Sequence, residues 1–196
     1  MNNSFKIILI SALILILALS IALIIHLSNR FNAPDKDVVK VEDIEYYELA
    51  KKYAEEYRID IELVLATIDV ESSFRKDVVS KAGAIGLMQI MPDTFNDLIE
   101  RTGENYTTDD LYDPEVNIKY GCYYLRYLID YFNDVNLSVA AYNAGIGNVN
   151  KWIKNSDYYD GESLIVIPFK ETQNYCKKIS EKINYYSLII KGDENA

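Results

Sequence analysis

The chain has 196 residues, 49 % apolar and 26 % charged, with a formal net charge of −10, which is globular composition and enough chain for one domain with a real core. Lys6 and Arg30 are the only charged residues before Pro34; without them eighteen Lys and Arg face thirty Asp and Glu, a formal −12 for the remainder. So acidic a domain repels phosphate backbones, which argues against nucleic acid as a partner, and binding of any anionic polymer would have to rest on hydrogen bonds and stacking, for which 17 tyrosines and one tryptophan are available.

Residues 7–27 hold no charged side chain apart from His26 if it is protonated. Such a run is long enough to cross about 30 Å of hydrocarbon, and it lacks the small-x-small cleavage pattern of a removed signal peptide. An uncleaved signal-anchor is expected, with residues 1–6 cytoplasmic and residues 28–42 a linker containing Pro34. Basic residues on both sides leave the positive-inside rule with little to say about orientation.

The folded domain is expected over 43–190, with a tail at 191–196. Residues 43–58 place Ile44, Tyr47, Ala50, Ala54 and Tyr57 at helical spacing. Asp60 is expected to cap a second helix, with Ile61, Val64, Leu65 and Ile68 as its apolar stripe. Glu71 falls on the flank of that stripe, while Glu62 and Asp69 point to the opposite side. A loop over 75–86 follows, with Gly83 and Gly86 permitting sharp turns, and then a short irregular segment at 87–91. Pro92 opens a helix to about Arg101 that Gly103 stops. Asp113 and Pro114 start a long helix to Phe132. Asn136 is expected to cap the helix over 137–143, which Gly145 ends, and residues 148–154 form another helical turn or two. After a loop at 155–167, Pro168 opens a last helix to about Ile190. The expectation is a single all-α domain without an internal repeat.

The two cysteines, Cys122 and Cys176, fall in different predicted helices, and free thiols are expected over a bridge, although a disulfide outside the cell stays open. No Cys–His spacing suggests a metal site. A carboxyl on the inward flank of a helix end has its charged form disfavoured by desolvation, and such a group can protonate a leaving oxygen near neutral pH. Spacing alone leaves Glu71 open as a solvated surface residue.

Four motifs add to this: Glu71-Ser72-Ser73-Phe74 with Ser80 and Gly83-Ala84; Gly86-Leu87-Met88-Gln89-Ile90-Met91-Pro92; Ala140-Ala141-Tyr142-Asn143-Ala144-Gly145; and Pro168-Phe169-Lys170-Glu171-Thr172 with Tyr175. In order and spacing they resemble the catalytic domain of the soluble lytic transglycosylases, over about residues 44–186. The resemblance implies a goose-lysozyme-like α-helical fold. It also implies cleavage of the β-1,4 bond between N-acetylmuramic acid and N-acetylglucosamine in peptidoglycan, with a 1,6-anhydro-muramoyl product. Glu71 matches the family's single acid/base, so no second carboxylate is required, and the substrate's acetamido group assists. Ser80 matches the residue near that acetamido group, Gln89 and Met91 match cleft-lining positions, and Tyr142 matches a tyrosine that poises the acid. Asn143 and Glu171 match further cleft residues. Alternatives stay open: Met91 as core, Asn143 as a helix-terminus residue, Glu171 as a first-turn residue facing the helix dipole, Tyr142 as packing. Trp152 reads as core.

The resemblance therefore implies an enzyme acting on peptidoglycan glycan strands; a monomer needing no cofactor or metal is expected, held at the cytoplasmic membrane by the apolar run at 7–27 with its domain on the cell-wall side. A hydrolytic muramidase on the same fold is the nearest alternative. A non-catalytic wall-binding protein and a purely structural helical domain are the others.

Overall fold

The computed structural model describes residues 19–24 and 40–194. The chain divides into two units, Met1–Val38 and Val39–Ala196. In the first, residues 19–24 are helical. The expected cytoplasmic segment, the rest of the 7–27 span and the linker up to residue 39 lie outside the described residues. Among the described residues no helix is long and apolar enough to cross a membrane.

The second unit is all-α. Seven α-helices follow one another: α1 (Tyr47–Tyr57), α2 (Ile61–Ser72), α3 (Pro92–Thr102), α4 (Pro114–Phe132), α5 (Val135–Ala144), α6 (Ile146–Trp152) and α7 (Lys170–Glu194). Strand pairing among the described residues is limited to isolated bridges, Val79 with Ile85, Ile85 with Ile90, and Tyr159 with Leu164.

Helix α2 is the axis of the domain. Six consecutive residues, Leu63, Val64, Leu65, Ala66, Thr67 and Ile68, are buried. This corrects the expected one-sided stripe, because a helix covered on all sides reads as apolar all round. Its buried hydroxyls turn back on the helix: Thr67 Oγ1 donates to the Leu63 carbonyl at 2.8 Å and Ser72 Oγ to the Ile68 carbonyl at 3.0 Å. Around α2 pack Ala50, Tyr53 and Ala54 of α1, Phe95 and Leu98 of α3, Ile118, Tyr120, Cys122 and Leu125 of α4, and Tyr175, Ile179 and Tyr186 of α7. A smaller cluster joins Leu128, Leu137, Ala140, Ala141, Val149 and Trp152, with Phe169 edge-on to Trp152 at 5.1 Å. Trp152 is therefore core. Both cysteines are free thiols, and Cys122 is buried.

Several predicted boundaries move for local reasons. The helix expected from residue 43 is split, because Tyr46 takes a left-handed φ of 60° between a 3-10 turn at Val41–Asp43 and α1. Asp134, not Asn136, caps α5: its carboxylate accepts from the Leu137 N–H at 2.7 Å. Asn133, with φ 50°, has already ended α4, so the next helix starts at Val135, two residues earlier than expected. Asp60 stands at the α2 N-cap position without a side-chain cap bond. Gly145, with φ 84°, ends α5 and opens α6 at once, which moves α6 two residues earlier than expected. Helix α7 begins at Lys170 instead of Pro168 because Phe169 is held against Trp152, and the Phe169 carbonyl accepts from the Gln173 N–H at 2.9 Å. It continues through Glu194 into the expected tail, tolerating Gly192 at a cost of about 1 kcal/mol.

Candidate active site

Glu71 occupies the last turn of α2, and the chain leaves the helix through two consecutive left-handed residues, Ser73 (φ 52°) and Phe74 (φ 60°). Burial raises the Glu71 carboxyl from 4.5 to about 7; the Tyr175 hydroxyl, as hydrogen-bond partner, pulls it back, and the charge of Glu171 pushes it up further. The phenols of Tyr142 and Tyr175 are pushed well above 10, first by burial and second by the nearby Glu71 charge, so both stay protonated donors. Near neutral pH Glu71 is thus poised to give or take a proton, beside two hydroxyls that remain neutral.

The wall beside it is the 78–91 loop. Ser80 Oγ accepts from the Ala84 N–H at 3.0 Å, and the Ser80 N–H donates to the Ala84 carbonyl at 2.9 Å, closing a tight turn. Gly86 (φ 80°) is required by space as well as by conformation, since a Cβ there would lie 2.1 Å from Asn117 Nδ2. Asn117 of α4 is 1 % exposed and fully paired. Its Oδ1 accepts from the Met88 N–H at 2.8 Å, and its Nδ2 donates to the Ile85 and Leu111 carbonyls at 2.9 and 2.8 Å. The Tyr142 hydroxyl donates to the Met88 carbonyl at 2.8 Å. The backbone of Met88 is thereby held at both its N–H and its carbonyl.

A groove of about 250 Å³ opens along this wall, lined by Gln89, Met91, Thr94, Tyr124, Tyr142 and Asn143 among others. Gln89 takes φ 49°, and its Nε2 donates to the Val78 and Gly86 carbonyls, both at 2.9 Å. Only its Oε1 remains to accept from a ligand. Asn143 Oδ1 accepts from Thr172 Oγ1 at 2.7 Å, tying α5 to α7 and leaving Nδ2 as a donor. Met91 is 38 % exposed and lies on the groove rather than in the core. Glu171 is an exposed first-turn residue of α7 whose charge reaches Glu71.

Of the predicted site residues, Gln89, Met91, Tyr142 and Asn143 meet in the groove, while Glu71, Tyr142 and Glu171 meet electrostatically, so Tyr142 joins the two groups. Ser80 belongs to neither and closes its own turn. Asp69 was expected on the side away from Glu71, and two residues along a helix do put it on the other flank. Its side chain there is 16 % exposed and bonded to α7, by Lys182 Nζ at 2.6 Å and the Tyr186 hydroxyl at 2.7 Å. Sequence reasoning gave no role to Tyr175, although it lies four residues after Glu171 and hence on the same helical face. Tyr124, whose ring is 5.3 Å from that of Tyr142, carries no local signal. Among the described residues no cluster of His, Cys, Asp or Glu could hold a metal ion.

Residues 48–165 match the family described as Transglycosylase SLT domain. A soluble lytic murein transglycosylase of Escherichia coli is 37 % identical over 174 residues, covering 86 % of this chain and 25 % of that protein. A membrane-bound lytic murein transglycosylase C of Actinobacillus pleuropneumoniae is 33 % identical over 173 residues, covering 76 % of this chain and 47 % of that protein. The crystal structure of the 70 kDa soluble lytic transglycosylase from Escherichia coli superposes with a TM-score of 0.67 at 35 % identity, over 76 % of this chain and 25 % of the solved one. The chain thus spans about a quarter of the soluble relative and about half of the membrane-bound one.

Proposed function

This chain belongs to the transglycosylase SLT domain family, and on that premise we propose that it cleaves the β-1,4 bond between N-acetylmuramic acid and N-acetylglucosamine in peptidoglycan, as a lytic transglycosylase. The observation that carries the reading is the carboxyl of Glu71, lifted to about 7 by burial, within reach of the Tyr142 and Tyr175 phenols, the first of which lines a groove. Protonated Glu71 gives its proton to the glycosidic oxygen as the bond to the muramoyl anomeric carbon breaks. The resulting carboxylate accepts the proton of the muramoyl 6-hydroxyl, whose oxygen closes on that carbon to give the 1,6-anhydro product. No water is consumed, and Glu71 ends protonated as it began. Tyr175 draws the acid toward its anionic form against the effect of burial.

In this reading the Gln89 Oε1 acceptor and the Asn143 Nδ2 donor meet the sugar's amide and hydroxyl groups. Met91 supplies apolar contact, Ser80 faces the acetamido group, and Glu171 borders the reacting end. The catalytic domain spans 43–190, acts as a monomer without cofactor, and is held by the apolar run at 7–27 on the wall side of the cytoplasmic membrane. Support for that anchor is the length and uniformity of the run itself.

A second reading, hydrolysis by water, draws on one observation: the charge of Glu171 is felt at Glu71, which gives the site a second carboxylate. Mass spectrometry of sacculi digested by wild type and Glu71→Gln separates these readings. Anhydro-muramoyl ends, lighter by a water than reducing ends, are expected from wild type and none from the variant. Reducing ends alone would replace transglycosylation by hydrolysis, undiminished release by Glu71→Gln would refute the role given to Glu71, and no release by wild type would leave a wall-binding role only.

A further inference from the structure

We propose that Asp69, Lys182 and Tyr186 form a positioning clamp that fixes the rotation of α2 about its own axis and so aims the Glu71 carboxyl. The inference rests on the reading of Glu71 as the acid/base and assigns a role to three residues outside the family motifs quoted above.

Asp69 and Glu71 are two residues apart on α2, so they leave the helix about 200° apart, on opposite flanks. Helix α7 meets both. Tyr175 is the hydrogen-bond partner of Glu71 on one flank, while Lys182 Nζ at 2.6 Å and the Tyr186 hydroxyl at 2.7 Å hold Asp69 on the other. Tyr175, Lys182 and Tyr186 are spaced by seven and four residues, so they share one stripe of α7, and the two grips stand about 10 Å apart along it. A helix held on two flanks at two heights is hindered from rolling. With Tyr175 alone, its last turn has one polar fixed point beside its packing contacts.

Tyr186 adds a second constraint. Its hydroxyl bonds Asp69, two residues before Glu71, while its ring stands edge-on to Phe74, three residues after it, at 6.4 Å. The acid is thus bracketed by one buried side chain. The bracket ends on Phe74, which with Ser73 has a left-handed backbone whose free-energy cost surrounding contacts must offset. Lys182 is 40 % exposed, so its ion pair is partly screened, and the phenol is the firmer of the two holds.

The test is steady-state turnover of purified glycan strands by the full-length chain in mild detergent, comparing wild type, Asp69→Ala, Tyr186→Phe and Glu71→Gln, with folding followed by circular dichroism. Asp69→Ala is expected to lower kcat about tenfold with KM changed less than about twofold, and to displace the alkaline limb of the pH profile, because misaiming by a fraction of an ångström acts on the reacting centre rather than on sugar binding. Tyr186→Phe keeps the ring on Phe74 and loses only the hydroxyl, so it is expected to show a smaller change of the same kind. It carries the test if Asp69→Ala does not fold. Wild-type kcat and an unmoved alkaline limb in the folded variants, with Glu71→Gln inactive, would overturn the clamp alone. A Glu71→Gln enzyme as active as wild type would overturn the reading of Glu71 and the clamp with it.

Discussion

Replacing Glu71 by Gln should make the protein more stable, and the gain should depend on pH. The Glu71 carboxyl is raised from 4.5 to about 7, chiefly because burial disfavours its charge. A carboxyl so raised keeps its proton in the native state over a range where the unfolded chain has lost it. Below about pH 4.5 both states are protonated and the group is neutral in its effect. Between about 4.5 and 7 the native state binds more protons than the unfolded one, so stability falls as pH rises. Above about 7 the loss is complete, at 1.36 kcal/mol for each tenfold, or about 3 kcal/mol in all. Glutamine carries no charge to desolvate and escapes this loss. For a chain of this size the difference corresponds to roughly 6–12 °C in Tm. The measurement is thermal unfolding of wild type and Glu71→Gln in identical buffers at pH 4, 6 and 8. Subtracting one from the other removes groups that titrate alike in both. A gap that stays constant from pH 4 to 8 would refute the placement of a desolvated acid at this position.

The same acid must be protonated to act, so kcat/KM on glycan strands should fall as pH rises through about 7, and Tyr175→Phe, which removes the group stabilising the carboxylate, should move that limb upward by about one pH unit. Asn117→Ala leaves the Met88 N–H and the Ile85 and Leu111 carbonyls without their partner, and urea unfolding should show a loss of about 3 kcal/mol. Gly86→Ala drives a Cβ to within 2.1 Å of Asn117 Nδ2 and 2.6 Å of the Leu111 carbonyl at a backbone φ of 80°, so it should lower Tm at least as much as Asn117→Ala; an unchanged Tm would mean the loop has another packing.

Helix periodicity, prolines at first turns and glycines at last turns carried most of the fold, because those signals act within a few residues. The start of α3 at Pro92, its stop at Gly103, and the Asp113 cap of α4 all follow from local backbone chemistry. What could not be read was anything decided by a distant partner. Asp69 looks like a surface acid until Lys182 and Tyr186, more than a hundred residues away, are placed against it. Gln89 could be assigned to a cleft from its motif, yet that its amide nitrogen is spent on two carbonyls depends on its left-handed backbone. The irregular boundaries at Tyr46 and Phe169 are likewise fixed by φ and by packing that leave no composition signal.

The two grips on α2 come from α7, the last helix of the domain, across more than a hundred residues of sequence. Contacts of that separation form late, since loop-closure entropy must be overcome before they stabilise anything. A chain in which α7 has not yet docked holds Glu71 without Tyr175 and without the Asp69 tether, and its carboxyl reverts toward an ordinary acid. The site is therefore complete only once α7 has docked. On the proposed activity, the docking that completes the fold also arms the acid, and a partly folded molecule is unarmed.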